Sequence, residues 1–150
     1  MLASAQVRQR IQQLLAGATA AGVRVFNGRA WPLDSDELPA IKLASGREDI
    51  APEGFHWPAL QEHTLNLEVR GFVRDANDVE AAMDALSAEI LEALFGTQAA
   101  AELEPLPTCE VQLQGIDRQT NGDGEASTGG VAVRLAITFQ TLSNDPHTLV

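Results

Sequence analysis

Residues Val131–Leu142 read VAVRLAITFQTL, and this run decides the fold class. Val131, Val133, Leu135, Ile137 and Phe139 occupy alternate positions, with Ala132, Arg134, Ala136, Thr138 and Gln140 between them. Successive side chains of a strand point to opposite faces, so the run predicts a strand with one apolar and one mixed face. It is long beside the typical strand of about 5–6 residues. A second run has the same form. Leu65, Leu67, Val69 and Val73 alternate with Asn66, Glu68, Arg70 and Arg74, inside a strand expected over 62–74.

One strong helical pattern lies between these strands. Val79, Ala82, Met83, Leu86, Ile90, Ala93 and Leu94 form a single stripe at the 3.6-residue period. A helix is expected over 78–95, with Asn77 and Glu80 as a capping box and Gly96 closing the end in the left-handed conformation. Val7, Ile11, Leu14, Leu15 and Ala18 predict a first helix over 4–21, with Ser4 as N-cap and Gly22 as its stop. Short strands are expected at 23–26 and 38–44, the second entering at a sheet edge because of Pro39. Asn27-Gly28 marks a turn, and 29–37 reads as loop. The segment 45–61 carries Gly46, Pro52, Gly54 and Pro58 without a steady period and is expected to be a long loop. Thr97–Thr108 is a connector, and the fourth strand is expected over 110–119 with a β-bulge at Gly115-Ile116. Gln119–Gly130 reads as a polar glycine-rich loop joining an antiparallel hairpin, and SNDPHTLV as a short terminal arm. The order α-β-β-β-α-β-β predicts an α+β fold: one domain over 1–150, a mostly antiparallel mixed sheet and two helices packed on one face.

Composition narrows the function classes. The 150 residues carry a net charge of −11 and a single lysine, Lys42. Nucleic-acid affinity comes mainly from cations neutralising phosphates, so this balance argues against DNA or RNA binding and against anionic membranes. No apolar run approaches the roughly 20 residues of a transmembrane helix. Arg8 and Arg10 break any signal-peptide core at the N-terminus. The lone Cys109 excludes an internal disulfide and reads as a structural thiol. Protein partners are the expectation that remains.

Chemical motifs are sparse. His56, His63 and His147 show no metal-ligand spacing and read as exposed loop histidines. Asp117, Gln119, Asn121 and Gly122 mimic the start of a calcium loop, but position twelve is Thr128 in place of glutamate. The glycines at 122, 124, 129 and 130 precede a strand, and no helix N-terminus follows to hold a phosphate. Glu48-Asp49 and the acids at 34, 36 and 37 read as solvated charge. No serine sits in a nucleophile elbow. No catalytic residue, cofactor or metal is expected.

Three large aromatics fall in segments read as loops: Trp31, Phe55 and Trp57. The chain has only five Phe, two Trp and no Tyr. Aromatics are enriched at interfaces, so these three, with Asn121, Asp123 and Glu125 of the glycine-rich loop, are the candidate protein-contact residues.

The chain as a whole resembles the phage tail terminator proteins, the lambda-like minor tail protein U group and related tail completion proteins. The likeness lies in VRQRIQQLL followed by VRVFNG and LPAIKLAS, in HTLNLEVRGFVRD entering ANDVEAAMDALSAEILEALFG, and in VAVRLAITFQTLSNDP. It implies a non-enzymatic virion part that forms a hexameric ring on the tail tube, stops tube growth and meets the head connector. Partners would be tail tube and head connector proteins and further copies of the chain, which could be monomeric when free. The place would be the virion tail, with assembly in the host cytoplasm. An acidic lumen would let DNA pass without binding it. Three alternatives stay open: a neck or head–tail completion protein, a small-molecule-binding regulatory domain with a pocket between the second helix and the sheet, and an enzyme with dispersed residues.

Overall fold

The computed structural model describes residues 1–28, 35–96, 109–121 and 127–150. Its elements are α1 (Ala3–Leu15), β1 (Val25–Asn27), β2 (Ala40–Glu53), β3 (Leu60–Asp75), α2 (Val79–Phe95), β4 (Glu110–Asn121) and β5 (Ser127–Leu142), with a 3-10 turn at Ser35–Glu37. The five strands form one sheet in the order β1-β2-β3-β5-β4. Only β1–β2 is parallel; the other three pairings are antiparallel.

Register explains the alternation seen in the sequence. Leu67 lies between Ser45 and Leu135, and Val69 lies between Leu43 and Val133. Rows of apolar side chains thus run across the sheet on one face, and both helices cover that face. Leu86, Ile90, Met83 and Leu94 of α2 and Val7, Ile11, Leu14 and Leu15 of α1 are buried in the same cluster as Leu65, Leu67, Val133, Leu135, Ile137 and Phe139. Each fully buried Leu or Ile removes enough apolar surface to stabilise the fold by roughly 1.5–3 kcal/mol. The expected stripe of α2 and the expected element order α-β-β-β-α-β-β both hold.

Close approach of α2 to the sheet depends on missing side chains. A Cβ on Gly71 would stand 2.6 Å from Leu86 Cδ2, and one on Gly129 would stand 2.7 Å from Met83 Sδ. Both glycines lie on the covered face, where the helix crosses β3 and β5.

Several expected boundaries are corrected. The 45–61 segment is not a loop: β2 continues to Glu53 and β3 begins at Leu60. Gly46 and Arg47 fall in a bulge between Ser45 and Glu48, which slips the phase and hides the strand pattern. Pro52 is tolerated because β2 is an edge strand beyond Leu43, where β1 ends. Conversely, β2 starts in the sheet interior, between β1 and β3, so Pro39 does not mark an edge. Gln119–Asn121 and Ser127–Gly130, expected as part of a glycine-rich loop, are ladder residues, and 122–126 lie outside the described residues. The bulge at Gly115 is present, with the register shifting between Leu113 and Gly115.

Helix ends differ for local reasons. α1 stops at Leu15 rather than Ala21, because Gly17 takes φ +77° and turns the chain, leaving Ala18 exposed. Its N-cap is Leu2 rather than Ser4. The orphan amide of Ala3 instead donates to Pro146 O at 3.0 Å, so the terminal arm caps the helix. The N-cap of α2 is Asp78, whose carboxylate accepts from Ala81 N at 3.0 Å, not Asn77. Gly96 has φ −69° and is not left-handed. Glycine is required there because a Cβ would stand 2.5 Å from Glu92 O.

Candidate protein interface

The antiparallel β2–β3 pair extends beyond Ser45 as a hairpin, with residues 54–59 at its turn. Phe55 at the turn is fully exposed, Trp57 is 78% exposed and Ile50 on the β2 arm is 51% exposed. Water gains nothing from contact with such groups, and contiguous exposed apolar surface marks interaction sites. The sequence-predicted residues Phe55 and Trp57 are therefore brought together on one projection. Asn121 is also exposed, at the far end of β4. Trp31, Asp123 and Glu125 lie outside the described residues, as does the whole connector 97–108.

The second surface is the sheet face that neither α1 nor α2 covers. Across it run the rows Phe26–Lys42–Arg70–Ala132–Asp117, Ala40–Phe72–Gly130–Gln119 and Arg74–Thr128–Asn121. At this end Arg70 pairs with Glu68 at 2.8 Å and Arg134 with Asp117 at 3.0 Å. Toward the hairpin the same face carries Asp49, Glu53, Glu62 and Glu110, and the nearest base there, Arg47, is held 2.6 Å from Asp49. The open face is thus graded from basic to acidic along the strands. A depression of about 420 Å³ lies at its basic end, floored by Gly130 and Ala132 and walled by Phe72, Arg70, Asp117 and Gln119. Asp117, Gln119 and Asn121 alternate down this face of a strand, which is not the geometry of a calcium loop.

Sequence reasoning missed a buried polar row across β2, β3 and β5 near the hairpin end of the sheet. His63 is 7% exposed and sits on the covered face, not in a loop. Its ring stacks on Phe139 with centroids 4.8 Å apart, and its Nε2 lies 2.8 Å from Thr141 Oγ1. Its Nδ1 faces Glu48 Oε2 at 3.5 Å, so Glu48 is not the freely solvated carboxylate expected. Carboxylate, imidazole and hydroxyl in a row is the order of a nucleophile relay. Here the hydroxyl belongs to Thr141, only 1% exposed, with no approach for a substrate. The row instead links β2, β3 and β5, which stay side by side up to the turn at 54–59. Its one sequence signal was His63 falling in phase with Leu65 and Leu67.

Other candidate groups give no chemistry. Burial pushes the Cys109 thiol up to about 11, so it is protonated at neutral pH. Among the described residues no cluster of three or more His, Cys, Asp or Glu side chains could hold a metal ion, and no helix is long and apolar enough to cross a membrane. A groove of about 710 Å³ lies between α1 and β1, lined by Arg8, Gln9, Gln12 and Asn27 among others. It is not under α2, where Gly71 and Gly129 allow direct contact and the stripe is used for packing.

No protein-family model matches the chain, and no curated protein matches it. Among solved structures it is similar to a chain of "Virion of native gene transfer agent (GTA) particle", with 16% identity and a TM-score of 0.45, over 91% of this chain and 95% of that chain. A likeness of this size carries no argument about function.

Proposed function

We propose that this chain is a structural component of a phage-type virion that acts as a tail terminator: copies form a ring on the end of the tail tube, stop its polymerisation and present a surface to the head connector. The reading begins from the sequence resemblance. The observation that supports it most is the hairpin turn at 54–59, which holds Phe55 and Trp57 in solvent at the end of the sheet. Exposed aromatics on a turn held by the end of a three-stranded sheet suit docking to another protein. The net charge of −11 suits a wall along which DNA moves without adhering. Tube protein, connector protein and further copies of the chain are the proposed partners, in the virion tail, with assembly in the host cytoplasm. Trp31, Asp123 and Glu125 remain proposed contacts alongside Phe55, Trp57 and Asn121.

The test is removal of the gene from a particle-producing strain, followed by electron microscopy of the lysate. The proposal expects overlong tubes and unattached filled heads. Tubes of normal length with heads still unjoined would favour a neck or head–tail completion role instead.

A further inference from the structure

We infer that the two surfaces above bind each other between copies: the aromatic hairpin of one copy docks on the basic end of the open sheet face of the next. The inference rests on the self-assembly reading and adds its pairing. Three observations carry it.

The first is charge. A chain of −11 repels its own copies, so a self-interface needs local complementarity. The hairpin end supplies acids, Asp49, Glu53 and Glu62. The opposite end of the face supplies Lys42, Arg70, Arg74 and Arg134, and among the described residues Lys42 and Arg74 have no carboxylate within 4.0 Å.

The second is shape. The depression over Gly130 and Ala132, about 420 Å³, falls within the roughly 300–1,000 Å³ of small-ligand pockets and has room for an aromatic ring. Phe72 and the guanidinium of Arg70 stand on its wall, suited to stacking on an entering Trp57 or Phe55.

The third is separation. Along β3, Phe72 and Leu60 are twelve residues apart, which at about 3.3 Å per residue is on the order of 40 Å. A hairpin cannot reach its own face, and each copy can use both surfaces at once. Such a heterologous contact closes into a ring when the rotation between copies permits.

The experiment uses the full chain and two crippled forms: Trp57→Ala, which spoils the hairpin, and the double change Lys42→Glu with Arg74→Glu, which spoils the face. Gly130→Val, which fills the depression, is a second face variant. Thermal melts first establish that each is folded. Sedimentation velocity over a concentration series then reads association. The wild-type chain should form multi-subunit species, and Trp57→Ala should weaken association about thirtyfold. An equimolar mixture of the hairpin variant and the face variant should form dimers and nothing larger, because only one intact surface of each kind remains per pair. Wild-type assembly matched by every variant would overturn this pairing while leaving the ring. A mixture that stays monomeric while the wild type assembles would also overturn it. A wild-type chain that is monomeric throughout, and does not arrest tube growth, would overturn the self-assembly reading and this pairing together.

Discussion

His63 Nε2 and Thr141 Oγ1 face each other at 2.8 Å inside the core, joining the middle strands β3 and β5 near the end of the sheet that carries the 54–59 turn. Burying a polar group without a partner costs far more than a made hydrogen bond returns. Thr141→Val should therefore lower stability by about 1–3 kcal/mol, mainly by stranding the imidazole. Adding His63→Leu to it should recover much of that loss. Denaturant unfolding of the two single variants and the double variant checks this, and strictly additive effects would show that the pair does not act as a unit.

Gly129 and Gly130 are neighbours in sequence with opposite tolerance. A methyl at Gly129 would press on Met83 and Val79, whereas at Gly130 the nearest heavy atom is 3.9 Å away. Gly129→Ala should destabilise by about 1–3 kcal/mol through overpacking. Gly130→Ala should leave the melting temperature within error. Equal melts would mean that α2 does not sit on β5 as described.

Leu86 and Glu92 test the orientation of α2 itself. Leu86 is buried against Gly71, and the Glu92 side chain is exposed. Leu86→Ala should cost about 2–5 kcal/mol. Glu92→Ala should stay within about 0.5 kcal/mol, the range of ordinary surface changes. Glu89 would be a poor control, since its carboxylate accepts a hydrogen bond from Ala20 N at 2.6 Å.

Asp75 gives the fold an acid-sensitive joint. The amides of Asp78 and Asn77 donate to its carboxylate and hold its pKa below the ordinary value. A lowered folded pKa means that the stabilisation is fully present above the unfolded value, near about 3.9. It is lost as pH falls through the lowered folded value. The stability gap between wild type and Asp75→Asn should therefore be larger at neutral pH and shrink in acid. A gap that stays constant across the acid range would contradict this assignment.

The sequence carried the fold through its long alternating runs. Leu65–Val73 and Val131–Phe139 each bury one face, so period and burial agree and the strands are plain. The α2 stripe is equally plain, since one face of that helix meets the sheet. Where periodicity failed, a local device intervened. The Ser45/Glu48 bulge and the edge position of Pro52 disguised the longer half of β2 as loop. Gly17 ended α1 early, and the missing side-chain cap was replaced by Pro146, far away in sequence. The candidate interface was half legible. Phe55 and Trp57 stood out as aromatics among turn residues, but their carrier, the extended β2–β3 hairpin, did not. The open-face gradient was invisible, because Lys42, Arg70, Arg74 and Arg134 meet only through register. His63 was misread because a histidine is usually exposed, although its phase with Leu65 and Leu67 placed it on the core face.

The most direct test of the account is native mass measurement of the purified chain mixed with its cognate tail tube protein, alongside tube length by electron microscopy. The account predicts a discrete hexameric species on tube ends and tubes that stop growing when the chain is added. A chain that remains a monomer or symmetric dimer, while tubes lengthen unchecked in its presence, would contradict it.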